Sequence, residues 1–334
     1  MIDSTTENDK KPTFADLTTM RVGGAPDNIL VASNRDDLVS LASELMGSGE
    51  PWLPLGGGSN TIVSDAGYPG TVLLVRTSGI SEIADETLAK DRVRIRIEAG
   101  QDWDELVEQC VERGMLGLEA LSGIPGAVGA APIQNIGAYG SELKETFHSL
   151  ELLEEDTGEI RRVYAEEMGF GYRDSAIKRF ELSGLVISID LVLFKSTAGS
   201  ENKVKVKHEQ LARALNCQMG DEVPSASVRQ SVIDLRRSKG MVLDENDKDS
   251  WSSGSFFINP IVSAGFARTL PADAPRFPLE GKRKTPTVIP LSKLHTVDQI
   301  EKYESDEGYV KISAAWLIEH SGIGRGFRLP GSGA

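Results

Sequence analysis

Residues 117–140 read GLEALSGIPGAVGAAPIQNIGAYG, and from Gly123 onward most of the side chains are small. Such a stretch has too little bulk to build a core from its own side chains. Two uses remain for it. Small residues let a backbone lie against a flat or extended ligand. They equally suit a tight crossover packed beneath a sheet. In the first use, Gln134, Asn135 and Tyr139 are the polar groups that orient the ligand.

The framework around this run is legible on both sides. Residues 34–46 place Leu38, Leu41, Ala42, Leu45 and Met46 at helical spacing, with Gly47 as a stop. Residues 51–55 predict a strand that runs into the loop Leu55-Gly56-Gly57-Gly58-Ser59-Asn60, and Thr61-Ile62-Val63 read as a second strand. Residues 93–98 predict a strand. Asp102, with Glu105 three residues on, predicts a capped helix whose apolar side is Leu106, Val107, Cys110 and Val111. Downstream, 148–154 and 159–164 flank the hairpin signal Asp156-Thr157-Gly158, and 184–194 is a further strand. Residues 196–202 have linker composition and mark a domain boundary. Beyond it lie helix candidates at 204–215, 226–238 and 312–320, and a strand at 256–262. Strands and helices mix without strict βαβ alternation, so the expected class is α+β rather than doubly wound. Residues 1–14 read as a polar, disordered tail.

Composition narrows the class of function. A chain of 334 residues is long enough for two or three domains. A formal charge of −14 argues against nucleic acid as the main partner, while leaving room for an anionic small molecule in a locally basic cleft. No apolar run has membrane-spanning length, the N-terminus lacks the apolar stretch of a signal peptide, and Cys110 and Cys217 have no CxxC partner. The expectation is a reducing, cytoplasmic setting with no membrane association. A monomer is expected.

Five constellations carry possible chemistry. Consecutive glycines at 56–58 free backbone N–H groups to face an anion, and Ser59 and Asn60 add side-chain donors; a plain Gly-rich turn is the alternative. The spacing is not that of a dinucleotide fingerprint. The run at 123–140 is the second. In Phe170-Gly171-Tyr172-Arg173-Asp174-Ser175, Arg173 suits a carboxylate bidentately; a surface ion pair with Asp174 or a neighbour is the rival reading. Arg236-Arg237-Ser238-Lys239 is a basic island at a helix end, fit for a diphosphate or simply for the helix dipole. Gly254-Ser255-Phe256-Phe257-Ile258-Asn259-Pro260 holds a serine with no elbow motif around it. The four histidines form no cluster, so hydrolase and metal readings are weak and no metal is expected.

In this order, LGGGSN, GIPGAVGAAPIQNIGAYG, YRDS, RRSK and GSFFINP resemble the UDP-N-acetylenolpyruvoylglucosamine reductase family. The segments Leu17–Gly24 and Ser313–Glu319 resemble it too, so the likeness covers about residues 15–326. It implies an FAD-binding fold of the vanillyl-alcohol-oxidase type in two subdomains over 15–196, and a smaller α+β substrate domain over 203–334. Implied FAD contacts are Leu55, Gly56, Gly57, Gly58, Ser59 and Asn60, then Ile124, Pro125, Gly126, Gly129, Gln134, Asn135, Gly137, Ala138 and Tyr139. Implied partners are NADPH and a UDP-sugar. Hydride would pass from NADPH through FAD to the vinyl carbon of the enolpyruvyl ether. Arg173 would stabilise the carboxylate as charge builds, and Ser255 would protonate C2 as a general acid. Tyr172, Arg236, Lys239 and Asn259 match substrate-binding positions. The family continues past the Ser313–Glu319 helix to a catalytic glutamate that this sequence lacks, so the substrate domain is expected to be incomplete. Two other readings stand beside this one: another FAD-linked oxidase of the same fold, and a non-catalytic binder of FAD or a UDP-sugar.

Overall fold

The computed structural model describes residues 11–196, 202–278, 308–324 and 326–330. Among them, order begins earlier than the polar tail suggests. Thr13 donates both its backbone N–H (2.8 Å) and its hydroxyl (2.7 Å) to the Asp16 carboxylate, which starts the short helix α1 (Phe14–Leu17). Phe14, expected in the tail, is fully buried against Leu55, Val72 and Leu74. Residues 1–10 lie outside the described residues.

Three strands, β1 (Pro26–Ala32), β2 (Trp52–Leu55) and β3 (Tyr68–Val75), form a parallel sheet in the order β1-β3-β2. Between the first two runs α2 (Arg35–Ser48), capped by the Asn34 side chain on the Asp37 N–H at 2.9 Å. The helix passes through Gly47 and stops at Gly49, whose φ is +71°. A single glycine inside a helix costs only about 1 kcal/mol; a left-handed C-cap is what ends one. Thr61–Val63 is not a strand. Its neighbourhood is taken by the N-terminal segment instead: Gly24 donates to the Ser64 carbonyl at 3.0 Å, and a Cβ on Gly23 would sit 2.8 Å from the Val63 carbonyl.

The larger sheet contains β4 (Ile80–Ile83), β5 (Arg92–Glu98), β6 (Met115–Leu116), β9 (Phe147–Glu154), β10 (Ile160–Tyr164) and β11 (Gly184–Lys195). Its order is β10-β9-β11-β5-β4, with β6 also on β11, and all pairings are antiparallel. A small pair, β7 (Gly137–Ala138) and β8 (Ser141–Glu142), closes the 117–140 run, and a one-turn helix α4 (Ala165–Met168) follows β10. The alternation along β5 decides its two faces. Val93, Ile95 and Ile97 enter the main core; Arg94 and Arg96 turn to the other face and donate to the fully buried Asp190. Arg162 joins them at 2.9 Å.

Helix α3 (Trp103–Glu112) covers the core face. Asp102 accepts from the N–H groups of Asp104 and Glu105, and Leu106, Val107, Cys110 and Val111 are buried as their spacing requires. Burial, reinforced by Glu119, pushes the Cys110 thiol up to about 12, so it packs as an inert apolar group. The same core contains Leu118, Leu121, Val128, Ala131 and Ile136. The 117–140 run therefore does supply core side chains, against expectation, although Ile133 is exposed.

Residues 203–254 belong to the first of two compact units, Met1–Gly254 and Ser255–Ala334, so compactness divides the chain downstream of the linker composition at 196–202. Residues 197–201 of that linker lie outside the described residues. Residues 203–205 are a strand, β12 (Lys203–Lys205), because Lys-Val-Lys alternates with period two; it pairs with β13 (Glu222–Pro224). The helix expected from 204 starts only at α5 (Glu209–Ala214), and α6 (Ser225–Arg237) follows.

In the second unit, β14 (Ile261–Ser263), β15 (Arg276–Pro278) and β16 (Tyr309–Ile312) form an antiparallel sheet in the order β14-β16-β15, with α7 (Ala264–Thr269) and α8 (Ala314–His320). The strand expected over 256–262 is reduced to β14. Pro260 offers no N–H for a ladder, and Phe256, Phe257 and Ile258 are 72%, 62% and 53% exposed. The helix expected over 312–320 begins at Ala314, capped by Ser313, since Ile312 ends β16. The architecture is α+β. Among the described residues no helix is long and apolar enough to cross a membrane.

Candidate active site

The 117–140 run serves as a platform for the other motifs of the first unit. Gly57 of the glycine loop lies against it so closely that a Cβ would be 2.7 Å from the Gly126 Cα, and one on Gly56 would be 2.9 Å from the Ala127 Cβ. Ser59 donates from Oγ to the Pro125 carbonyl at 2.9 Å. Gly129 in turn abuts Ala99 at the end of β5, leaving no room for a side chain. The packed-crossover reading of the run is realised at these residues.

On its other side the loop is tied to the N-terminal segment. Thr19 donates its N–H to the Gly58 carbonyl at 3.2 Å, and Gly58, at φ +63°, approaches the Leu17 carbonyl. Leu55 is buried at the end of β2, and Asn60 is exposed. Sequence reading missed the residue that holds the loop from below. Arg76, just past β3, donates from Nη1 to the carbonyls of Leu55 (3.2 Å), Gly56 (3.0 Å) and Val75 (3.0 Å). A lone arginine closing a buried apolar strand was the available signal. With carbonyls held from behind, the N–H groups of Gly57, Gly58, Ser59 and Asn60 find no acceptor among the described residues. A run of free N–H groups is an anion cradle.

Arg173 also stands on the platform. It adopts φ +51° and donates from its guanidinium to the carbonyls of Asn135 (3.2 Å) and Gly137. The rival reading of this residue fails: Asp174 pairs with Arg179 at 2.7 Å, and among the described residues Arg173 has no carboxylate partner. Its charge is oriented by neutral carbonyls and stays available to an anion. Tyr172 lies under it, with the guanidinium carbon 5.8 Å from the ring centre.

Asn135, expected at the ligand, is instead fully buried. Its Nδ2 donates to Glu142 (3.1 Å) and to the Gly171 carbonyl (2.9 Å), and its Oδ1 accepts the Lys144 N–H (3.0 Å). With its side chain saturated, Asn135 acts through its carbonyl, as a positioning residue for Arg173. Gln134 is half-buried, and its side chain has no hydrogen-bond partner among the described residues. Ile124 packs on the edge of the core, as does Ala138.

Arg236, at the end of α6, reaches the start of the platform. Its Nε donates to the Gly123 carbonyl and its Nη2 to the Met241 carbonyl, both at 3.0 Å. It too lacks a carboxylate partner among the described residues, and burial lowers its affinity for a proton. Sequence reading missed what clamps this corner. Asp104 accepts the Gly123 N–H at 2.6 Å and a fork from Arg229 at 2.6 and 3.0 Å. Nearby, Lys239 lies 5.7 Å from the Tyr139 ring centre and donates to Gln210 at 3.0 Å, while His208 meets the same ring edge-on at 5.5 Å. Burial raises the Tyr139 phenol.

In the second unit, Ser255 is exposed and has no hydrogen-bond partner among the described residues. Asn259 is half-buried, and its Oδ1 accepts the Ala314 N–H at 2.9 Å, which ties it to the start of α8. Part of its expected ligand-binding capacity is therefore used structurally.

Residues 26–164 match the family of FAD binding domains. UDP-N-acetylenolpyruvoylglucosamine reductase from Leifsonia xyli is 47% identical over 329 residues, spanning 97% of this chain and 85% of that protein. Its namesake from Salinispora arenicola is 42% identical, over 92% of this chain and 77% of its own. That from Thermobifida fusca is 40% identical, over 94% and 82%. With identities of this size over nearly all of its length, the chain belongs to the UDP-N-acetylenolpyruvoylglucosamine reductase family of enzymes.

Proposed function

We propose that this chain reduces the enolpyruvyl ether of UDP-N-acetylglucosamine to UDP-N-acetylmuramate in peptidoglycan precursor synthesis, with FAD as bound cofactor and NADPH as hydride source. The observation that carries the reading is the platform: Ser59, Arg173 and Arg236, from three separate motifs, are each held by a carbonyl between Gly123 and Gly137.

The residues present fit FAD. The free N–H groups at 57–60 suit a diphosphate, and Gly56, Gly57 and Gly126 let loop and platform close on each other, which any Cβ would block. Bound FAD supplies hydride transfer. What the chain itself contributes is charge and protons. Arg173 faces the substrate carboxylate, on which negative charge grows as hydride reaches the vinyl carbon. Because its fork is already fixed by two carbonyls, stabilising that charge requires no reorientation during the reaction. Arg236 and Lys239 take the diphosphate of the UDP-sugar, and Tyr172 and Asn259 complete its binding. Ser255 donates the proton to C2; the developing carbanion is basic enough to accept it from a weak acid.

The test is spectroscopic. Purified protein titrated with FAD should become yellow, bleach with NADPH, and regain colour on addition of UDP-N-acetylglucosamine enolpyruvate with formation of the lactyl ether. A protein that takes up FAD yet regains no colour with this substrate is not this reductase.

A further inference from the structure

The segment that leads into α5 is pressed onto the far end of the platform. Tyr139 packs against the small core of Val206, Leu211, Ala212, Val228 and Val232. A Cβ on Gly140 would be 2.9 Å from the Lys207 carbonyl, so the two backbones touch. Tyr139 itself is left-handed (φ +46°), a conformation that persists only where the surroundings impose it. His208 stands at this junction, and its contacts close a ring. Its imidazole meets the Tyr139 ring at 5.5 Å, and its Nδ1 accepts the Gln210 N–H at 3.3 Å, capping α5. Gln210 Oε1 accepts from Lys239 Nζ at 3.0 Å, and Lys239 lies 5.7 Å from the centre of the Tyr139 ring. Among the described residues no carboxylate holds the Lys239 ammonium. Its place depends on Gln210 and Tyr139, and both of those lean on His208.

Resting on the function proposed above, we infer that His208 is a positioning residue for the UDP-sugar diphosphate, holding Lys239 in place through Gln210 and Tyr139 while neutral and releasing it when protonated. An acceptor at Nδ1 puts the imidazole proton on Nε2. Protonation makes Nδ1 a second donor facing the Gln210 N–H, and the cap breaks. It also sets a cation beside Lys239, where Arg236 already adds its charge. The neighbouring charges do not offset this: Lys207 is paired with Glu145, and Glu209 with Arg213. Burial first and the Lys239 charge second hold the imidazolium below the ordinary histidine value, with Glu209 opposing. The neutral form is therefore the working one at neutral pH, and the loss comes on the acid side. The substrate's diphosphate diester and carboxylate stay ionised throughout, so its own titration does not imitate the effect.

The probe is UDP-N-acetylglucosamine, which has the diphosphate but no enolpyruvyl group, titrated into the FAD-loaded protein by calorimetry. For the wild type its Kd should rise about 3- to 10-fold from about pH 7.5 to about pH 5.5, the worth of one net hydrogen bond. KM for the enolpyruvyl sugar should rise with it. His208→Ala should have the weaker binding at both pH values. His208→Asn keeps a capping acceptor and takes up no proton; its Kd should lie within about threefold of wild type at the higher pH and stay flat on acidification. Gln210→Met leaves His208 in place and cuts its link to Lys239, so binding should start weaker and respond less to acid; this variant decides the matter if those at His208 do not fold. A wild-type Kd that ignores pH, or that falls in acid because the new charge draws the diphosphate directly, overturns the inference while the function proposal stands. So does a pH response undiminished in His208→Asn or Gln210→Met. A wild type that neither binds this sugar nor reduces its enolpyruvyl ether overturns both.

Discussion

The platform at 117–140 and the segment Ser255–Pro260 bear equally distinctive wording, yet the chain treats them differently. At the platform three motif residues are already fixed: Arg173 by two carbonyls, Arg236 by two, Ser59 by one. In the other segment Ser255 is held by no hydrogen bond among the described residues, and Phe256 and Phe257 are mostly exposed, touching each other edge-on at 5.2 Å. The lesson concerns where orientation comes from. Charge stabilisation needs donors fixed before the reaction, because reorientation during it wastes their effect. A proton donor used once per turnover can be ordered by the substrate it serves. The two regions thus divide the proposed chemistry into a prearranged half and an assembled half.

Ser255→Ala should break the assembled half and nothing else. Colour loss with NADPH should proceed near the wild-type rate, while turnover of the enolpyruvyl sugar falls about 10²–10⁴-fold. Stopped-flow measurement of the two half-reactions checks this. Comparable losses in both would place Ser255 at the FAD rather than at C2.

Arg173→Lys tests the prearranged half. An ammonium has no planar fork with which to hold two carbonyls and still face a carboxylate. Turnover should fall about 10²–10³-fold, as for loss of one donor to a developing charge, with a much smaller change in substrate affinity. Turnover within a few-fold of wild type would mean that Arg173 only braces the platform.

Gly57→Ala asks whether loop and platform must touch. Its Cβ would be 2.7 Å from the Gly126 Cα, a backbone atom that cannot swing aside. Overpacking of this kind costs about 1–3 kcal/mol, so the FAD Kd should rise about tenfold or more. Gly47→Ala is the control, since a Cβ there meets nothing within 4 Å, and FAD affinity should not change.

Much of this division was readable beforehand, and the failures have physical causes. Periodicity found β5, α3 and the β9–β10 hairpin because each buries one face, and burial writes a period into the sequence. It failed at Thr61–Val63 and at 256–260, where apolar residues suggested strands but, among the described residues, the backbone forms no ladder. Composition suggested a division at 196–202, while the compact unit runs on to Gly254, with α6 tied to α3 through Arg229 and to the platform through Arg236. The wording of the motifs named Arg173 and Arg236 but not what orients them. Arg76 acts through backbone carbonyls, Asp104 through the Gly123 N–H and Arg229 through the Asp104 carboxylate, mostly far away in sequence, and such contacts leave no local pattern.

Asp104→Asn probes one of those supports and should have the smallest effect. The Asp104 carboxylate is pulled between burial, which raises its pKa, and the Arg229 fork and Gly123 N–H, which lower it more; the net direction is down. A group with a depressed folded pKa contributes stability that is fully present above its unfolded value, near 4, and is lost as pH falls through the folded value. Asparagine keeps an acceptor for the Gly123 N–H but offers Arg229 neither charge nor a second acceptor, leaving it Glu108 at 3.4 Å. Loss of a charge-assisted bond of this kind costs about 1.5–3 kcal/mol. The stability gap between wild type and variant should be constant from pH 6 to 8 and narrow only below about pH 4, as followed by urea unfolding. In turnover, Gly123 would loosen and Arg236 with it, so KM for the UDP-sugar should rise a few-fold while kcat stays within about twofold, as expected for uniform binding. A fall in kcat at unchanged KM would mean that the Gly123 corner holds the reacting end of the site, and that Arg236 is not where the diphosphate binds.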